Sequence, residues 1–140
     1  DYMVSHVKWA FGLPDDKLVK IPNGVNTSVY ENPKKEDCEA FRAKFALPTE
    51  KIVLYVGRLV YEKGIHILIN AVPRVLEKVD AKFIIVGSGY MKDQLLNIVR
   101  SMKLEHKVLF MGFVDDETLL RLQKCADVSV VPSLFEPLAG

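Results

Sequence analysis

Histidine, cysteine and tryptophan are scarce in this chain, with 3 His, 2 Cys and 1 Trp in 140 residues. His6, His66 and His106 are scattered, none with a second His or Cys at ligand spacing, which argues against a zinc site or a catalytic histidine. Cys38 and Cys125 fall short of the cysteine density of a disulfide framework and are expected to be two structural thiols. An excess of charge of either sign is also missing. Lys plus Arg total 19 against 18 for Asp plus Glu, so a net charge of +1 sets up no global field for nucleic acid or an anionic membrane. Any anion site must be local. No apolar run approaches the roughly 18 residues that a membrane span needs, and the opening Asp1 to His6 lacks the basic-then-apolar layout of a signal peptide. A soluble, cytoplasmic protein is the expectation.

What is present is an ordinary core-forming composition, 49% hydrophobic and 26% charged, which fits one domain. Met3, Val7, Ala10 and Phe11 recur at helical spacing over Tyr2 to Phe11. Lys17 to Ile21 reads as a brief strand running into the turn Pro22-Asn23-Gly24. Ser28 to Lys35 reads as the flexible segment, and Cys38 to Leu47 as a helix that stops before Pro48. From Lys51 onward the pattern is regular. Apolar runs at Ile52 to Val56, Phe83 to Val86, Val108 to Met111 and Val128 to Val131 alternate with helical patterns over Ile65 to Val79, Met91 to Met102 and Glu117 to Cys125. The first of these helices contains Pro73, a place for a bend. Strands that are apolar throughout and alternate with helices indicate a parallel sheet covered on both faces. The fold class is α/β, a three-layer Rossmann-like domain. The chain stops at Gly140, where a further helix is expected, so it reads as a fragment of something larger.

A parallel sheet places four loops on one edge: Gly57 to Lys63, Gly87 to Tyr90, Gly112 to Asp116 and Pro132 to Gly140. Glycine opens the first three, where the backbone turns sharply or comes close to a ligand. Arg58 and Lys63 stand between a strand end and a helix start, a position suited to phosphate. The competing reading is two solvated surface cations. Gly87-Ser88-Gly89 is an incomplete dinucleotide fingerprint, since Lys92 stands where its third glycine belongs. Asp115, Asp116 and Glu117 read as helix-capping acids. Glu136, before Pro137, is an acid on the crevice rim that can accept hydrogen bonds from ligand hydroxyls.

Taken together and in this order, Gly57-Arg58, Glu62-Lys63-Gly64, Gly87-Ser88-Gly89 and Pro132-Ser133 before Glu136-Pro137 make the chain resemble a known family. It is similar to the carboxyl-terminal, donor-binding domain of the retaining, nucleotide-sugar-dependent glycosyltransferases of the GT-B fold, which include glycogen, sucrose and mannosyl transferases. The resemblance runs from Pro22-Asn23-Gly24-Val25 to the end. It implies that residues 1–140 form the nucleotide-sugar-binding half of a two-domain enzyme, with 1–35 as the interdomain lead-in. It also implies sugar transfer with retention from a nucleoside-diphosphate sugar to a sugar, lipid or polysaccharide acceptor held by the other domain. Arg58 and Lys63 match the pair on the donor diphosphate, and Glu136 matches the first acid of the family's pair, on the donor sugar. These three are the candidate catalytic residues. Gly57, Gly87, Gly89, Gly112, Phe113, Val114, Pro137 and Leu138 complete the donor site that the resemblance implies. No metal or other cofactor and no nucleic acid is expected, and membrane association of the parent stays open. Two departures stand out: Leu138-Ala139 replaces the usual Phe-Gly, and Asn26 stands where the family often has Asp. A non-catalytic nucleotide- or sugar-phosphate-binding module is the alternative.

Overall fold

The computed structural model describes residues 2–30 and 35–135. Within them, helix α1 spans Tyr2–Phe11 and α2 spans Lys35–Arg42. Then β1 (Lys51–Val56), α3 (Ile65–Leu76), β2 (Ala81–Val86), α4 (Lys92–Ser101), β3 (Val108–Gly112), α5 (Asp116–Cys125) and β4 (Val128–Ser129) follow. The sheet has the order β3-β2-β1-β4 with every pairing parallel. This is the α/β Rossmann-like arrangement expected.

The continuous apolar runs arise because both faces of the sheet are covered. Ile52 and Leu54 of β1 and Ile84 and Val86 of β2 point to one side, where they meet Phe41 of α2 and Leu122 of α5. Tyr55, Phe83 and Ile85 point to the other, against Ile65, Ile69 and Val72 of α3 and Leu95 and Val99 of α4. Alternate residues of a strand face opposite ways, so three layers demand apolar residues at every position. Pro73 sits inside α3 without ending it. The missing N–H costs the helix one bond, and the buried stripe of Leu68, Ile69 and Val72 holds the segment in place.

The amino edge of the sheet is fastened by charge. Buried Glu50 accepts from the Lys107 ammonium at 2.6 Å and from the Leu47 N–H at 2.7 Å, and Lys107 also reaches Asp80 at 2.6 Å. Burial alone would raise the Glu50 carboxyl, but Lys107 and the Leu47 N–H outweigh it and hold the group below its usual range. Lys107, hydrogen-bonded to Asp80 and Glu50, is raised. Arg42 bolts α2 to the same edge, donating to the carbonyls of Cys125 and Glu50 and pairing with Asp127 at 2.7 Å.

Four sequence expectations are corrected here. Cys38 and Cys125 are not thiols but form a disulfide between α2 and α5, with their Cα atoms 5.2 Å apart. Residues 87 apart in sequence become neighbours only through packing, which spacing alone does not reveal. Lys17 to Ile21 is not a strand: a 3-10 turn covers Asp15–Lys17, and Val19 and Ile21 are exposed. A strand needs a neighbour for its backbone groups, and none pairs with this segment among the described residues. The helix α2 ends at Arg42 rather than Leu47, and β4 is confined to Val128–Ser129. Of the segment expected to be flexible, residues 31–34 lie outside the described residues, and Thr27–Tyr30 form a 3-10 turn. Asn26 holds a local turn, its Oδ1 accepting from the Ser28 N–H and hydroxyl. No helix among the described residues is long and apolar enough to cross a membrane.

Candidate functional site

Parallel strands deliver their carboxyl ends to one edge, and there the loops touch. The Gly57 N–H donates to the Val86 carbonyl at 3.0 Å and the Gly87 N–H to the Gly112 carbonyl at 2.7 Å, so the ladder continues into the loops after β1, β2 and β3. The Leu59 N–H donates to the Ser88 carbonyl, and the Leu59 carbonyl accepts from the Met91 N–H. On the other flank, the Leu134 N–H donates to the Glu62 carbonyl at 2.9 Å, joining the segment after β4 to the turn that carries Lys63.

Two glycines are required by these contacts. Gly87, at φ 125°, lies so near the Gly57 carbonyl that a Cβ there would overlap it, and a Cβ on Gly64, at φ 62°, would overlap the Pro132 carbonyl. Both lie in backbone regions that other residues rarely enter. The close approach that the glycines permit is therefore of loop to loop. Gly89 packs in the same way against the Leu59 backbone, whereas Gly112 opens onto free space.

Arg58 is exposed at the end of β1, and its carbonyl is fixed by the Tyr55 hydroxyl at 2.8 Å. Lys63 is half-buried and closes the 3-10 turn Tyr61–Lys63, after which Gly64 starts α3. Phe113 is exposed, and half-buried Val114 packs on the core beside α5. Asp115 is the cap of α5, accepting from the Thr118 N–H at 2.7 Å, which together with the Thr118 hydroxyl lowers its carboxyl. The capping reading of that acid holds. Glu136, Pro137 and Leu138 lie outside the described residues. The structure thus brings Gly57, Arg58, Lys63, Gly87, Gly89 and Gly112 to one edge and leaves Phe113 at its margin beyond β3.

Sequence reasoning missed an aromatic group beside this edge. The Tyr61 ring stacks on His66 at 4.7 Å and 12°, and the Tyr61 N–H donates to the Tyr90 hydroxyl at 3.0 Å. His66 Nδ1 is buried with no hydrogen-bond partner among the described residues, so stacking is the described interaction of that ring. The Tyr90 position directly after Gly87-Ser88-Gly89 was the available signal.

The sequence profile of the family Glycosyl transferases group 1 matches residues 37–139. An uncharacterized glycosyltransferase of Methanocaldococcus jannaschii is 44% identical over 129 residues, covering 91% of this chain and 33% of that protein. Among solved structures, sucrose-phosphate synthase from Thermosynechococcus elongatus superposes with a TM-score of 0.77 at 29% identity, over 97% of this chain and 34% of that one. The Anabaena protein HepE, solved in complex with UDP and glucose, gives a TM-score of 0.73 at 25% identity, over 86% and 33%. The chain spans about a third of the length of these relatives. With the profile covering most of its residues, the chain belongs to the glycosyl transferases group 1 family.

Proposed function

We propose that residues 1–140 form the donor-binding half of a glycosyltransferase that moves a sugar from a nucleoside-diphosphate sugar to an acceptor with retention of configuration. Residues 1–35 serve as the lead-in between its domains. The observation that carries the reading is the joining of the Arg58 to Lys63 loop to both flanking loops at one sheet edge. Family membership and the likeness to a protein solved with UDP and glucose support it.

In this reading the diphosphate lies over the β1 end. As the bond from the sugar carbon to the phosphate oxygen breaks, negative charge grows on the phosphate, and Arg58 and Lys63 stabilise it from fixed positions. The reading needs no metal. Glu136 accepts hydrogen bonds from the donor sugar, and the acceptor enters from the other domain on the face that the leaving phosphate vacates.

The test is thermal unfolding of the chain with UDP, GDP, ADP and their glucose or mannose derivatives. A ligand at 100 times its Kd raises stability by about 2.7 kcal/mol. The expected result is a raised midpoint with one nucleotide series, diminished in Arg58→Ala and Lys63→Ala. An unmoved midpoint with every compound refutes the reading.

A further inference from the structure

We infer that Tyr90 is a further ligand-binding residue at this sheet edge, donating its hydroxyl proton to a phosphate oxygen of the bound nucleoside diphosphate; the inference rests on the donor-binding reading above. A phenol hydroxyl has one proton to give and lone pairs to accept with. Here a lone pair is taken by the Tyr61 N–H at 3.0 Å, and Tyr90 makes no other described hydrogen bond. Accepting one bond polarises the O–H and makes it a better donor. The residue is 72% exposed, so the hydroxyl can turn its proton toward a ligand at the surface.

Its location supplies the partner. The Tyr61 N–H opens the turn Tyr61–Lys63, and the Tyr61 carbonyl accepts the Gly64 N–H where α3 begins. The Tyr90 hydroxyl is thus anchored at the start of the turn that carries Lys63 and leads into a helix amino end, an electropositive place. Both ends of the clasp are stiff. The Tyr61 ring is held by His66, and Tyr90 follows Gly89, which packs on the Leu59 backbone, and precedes buried Met91. A donor fixed in advance loses little entropy on binding.

The experiment is calorimetric titration of the chain with UDP, GDP and ADP and with their bare nucleosides, for the unmodified protein and for Tyr90→Phe, which keeps the ring and removes the hydroxyl. Nucleoside diphosphate affinity is expected to fall about ten-fold, the scale of a hydrogen bond to a charged group, while nucleoside affinity and the urea midpoint stay the same. A structural role alone moves both ligand classes or the midpoint, and either result overturns the inference. Equal diphosphate affinity in the two proteins overturns it while leaving the donor-binding reading standing. No diphosphate binding by the unmodified chain overturns both.

Discussion

Breaking the bond between Cys38 and Cys125 is expected to cost stability without dismantling the interface it crosses. The disulfide closes a separation of 87 residues. By the chain-entropy relation, a loop of that length removes about 4–5 kcal/mol of freedom from the unfolded chain, an upper figure because unfolded chains are partly compact. The folded side changes less. Phe41 stays buried against Leu122, and Arg42 keeps Asp127 and two carbonyls, so α2 remains docked on α5 after reduction. The measurement is urea unfolding of the never-reduced chain and of the same chain in a phosphine reductant, with Cys38→Ala/Cys125→Ala as control. With an m-value near 2 kcal/mol/M, the midpoint is expected to fall by about 2 M on reduction. The m-value itself is expected to rise, because a chain freed of its cross-link exposes more surface. The control should be insensitive to reductant. Two thiols titrating in denatured, never-reduced protein, or coincident unfolding curves, would refute the reasoning.

Lys107→Ala leaves Glu50 buried without its ammonium partner and is expected to cost about 3–5 kcal/mol in urea unfolding, with nucleotide affinity unchanged in calorimetry. For pH, the Glu50 and Asp127 carboxyls are lowered from ordinary values of 4.5 and 3.8, so their stabilisation is complete above those values. It is lost as pH falls through the lower folded values. The urea midpoint should therefore fall with pH in that acid window, less steeply in Glu50→Gln. Lys107, raised from 10.5, has the opposite sign, contributing below that value and losing its share as pH climbs through the folded one; a midpoint that is flat above pH 10.5 counts against this. Gly64→Ala meets both a positive φ and the Pro132 carbonyl. It should cost more than 1 kcal/mol and weaken nucleotide binding, both read by titration. On the proposed function, Arg58→Ala and Lys63→Ala in a two-domain protein that carries this chain are each expected to lower sugar transfer by about 10²–10³, and normal rates would return both to surface charges.

The regular half of the molecule was legible because its sequence carries the two periods that burial imposes. The runs Ile52 to Val56 and Phe83 to Val86 are apolar at every position only because helices lie on both faces. What was not legible depends on partners distant in sequence. Val19 and Ile21 alternate as a strand does, but β structure is completed by a neighbour, and the local pattern cannot say whether one is present. Cys38 and Cys125 meet because α2 packs on α5. At the site, strand ends and glycines mark the loops, whereas Tyr61 and His66 carry no pattern and Tyr90 is marked only by its place after Gly87-Ser88-Gly89, since their contacts join two loops and a helix. The strand-end glycines imply either a sharp turn or close approach to a ligand, and at Gly87 the nearest atoms are those of the neighbouring Gly57.

That last point bears on how the two edges of the sheet divide their work. The amino edge is fixed by side chains: Glu50 with Lys107 and Asp80, Arg42 with Asp127, and Asp127 accepting the Ile52 N–H at 2.8 Å. The carboxyl edge is fixed largely by main chain, through Gly57, Gly87, Leu59 and Leu134, with glycine at the tight approaches of Gly64, Gly87 and Gly89. A backbone-built edge keeps its shape while its side chains change, so the exposed Arg58 and Tyr90 can be replaced with little effect on folding. Charge-built contacts at the far edge respond to pH and to single substitutions, and their loss spreads through the core rather than into the crevice. Stability and ligand affinity should therefore separate cleanly along the strand direction. Variants at Glu50, Lys107 and Asp127 should move urea midpoints alone, and variants at Arg58 and Tyr90 should move binding constants alone. A Lys107 variant that binds nucleotide poorly while still fully folded would break that division.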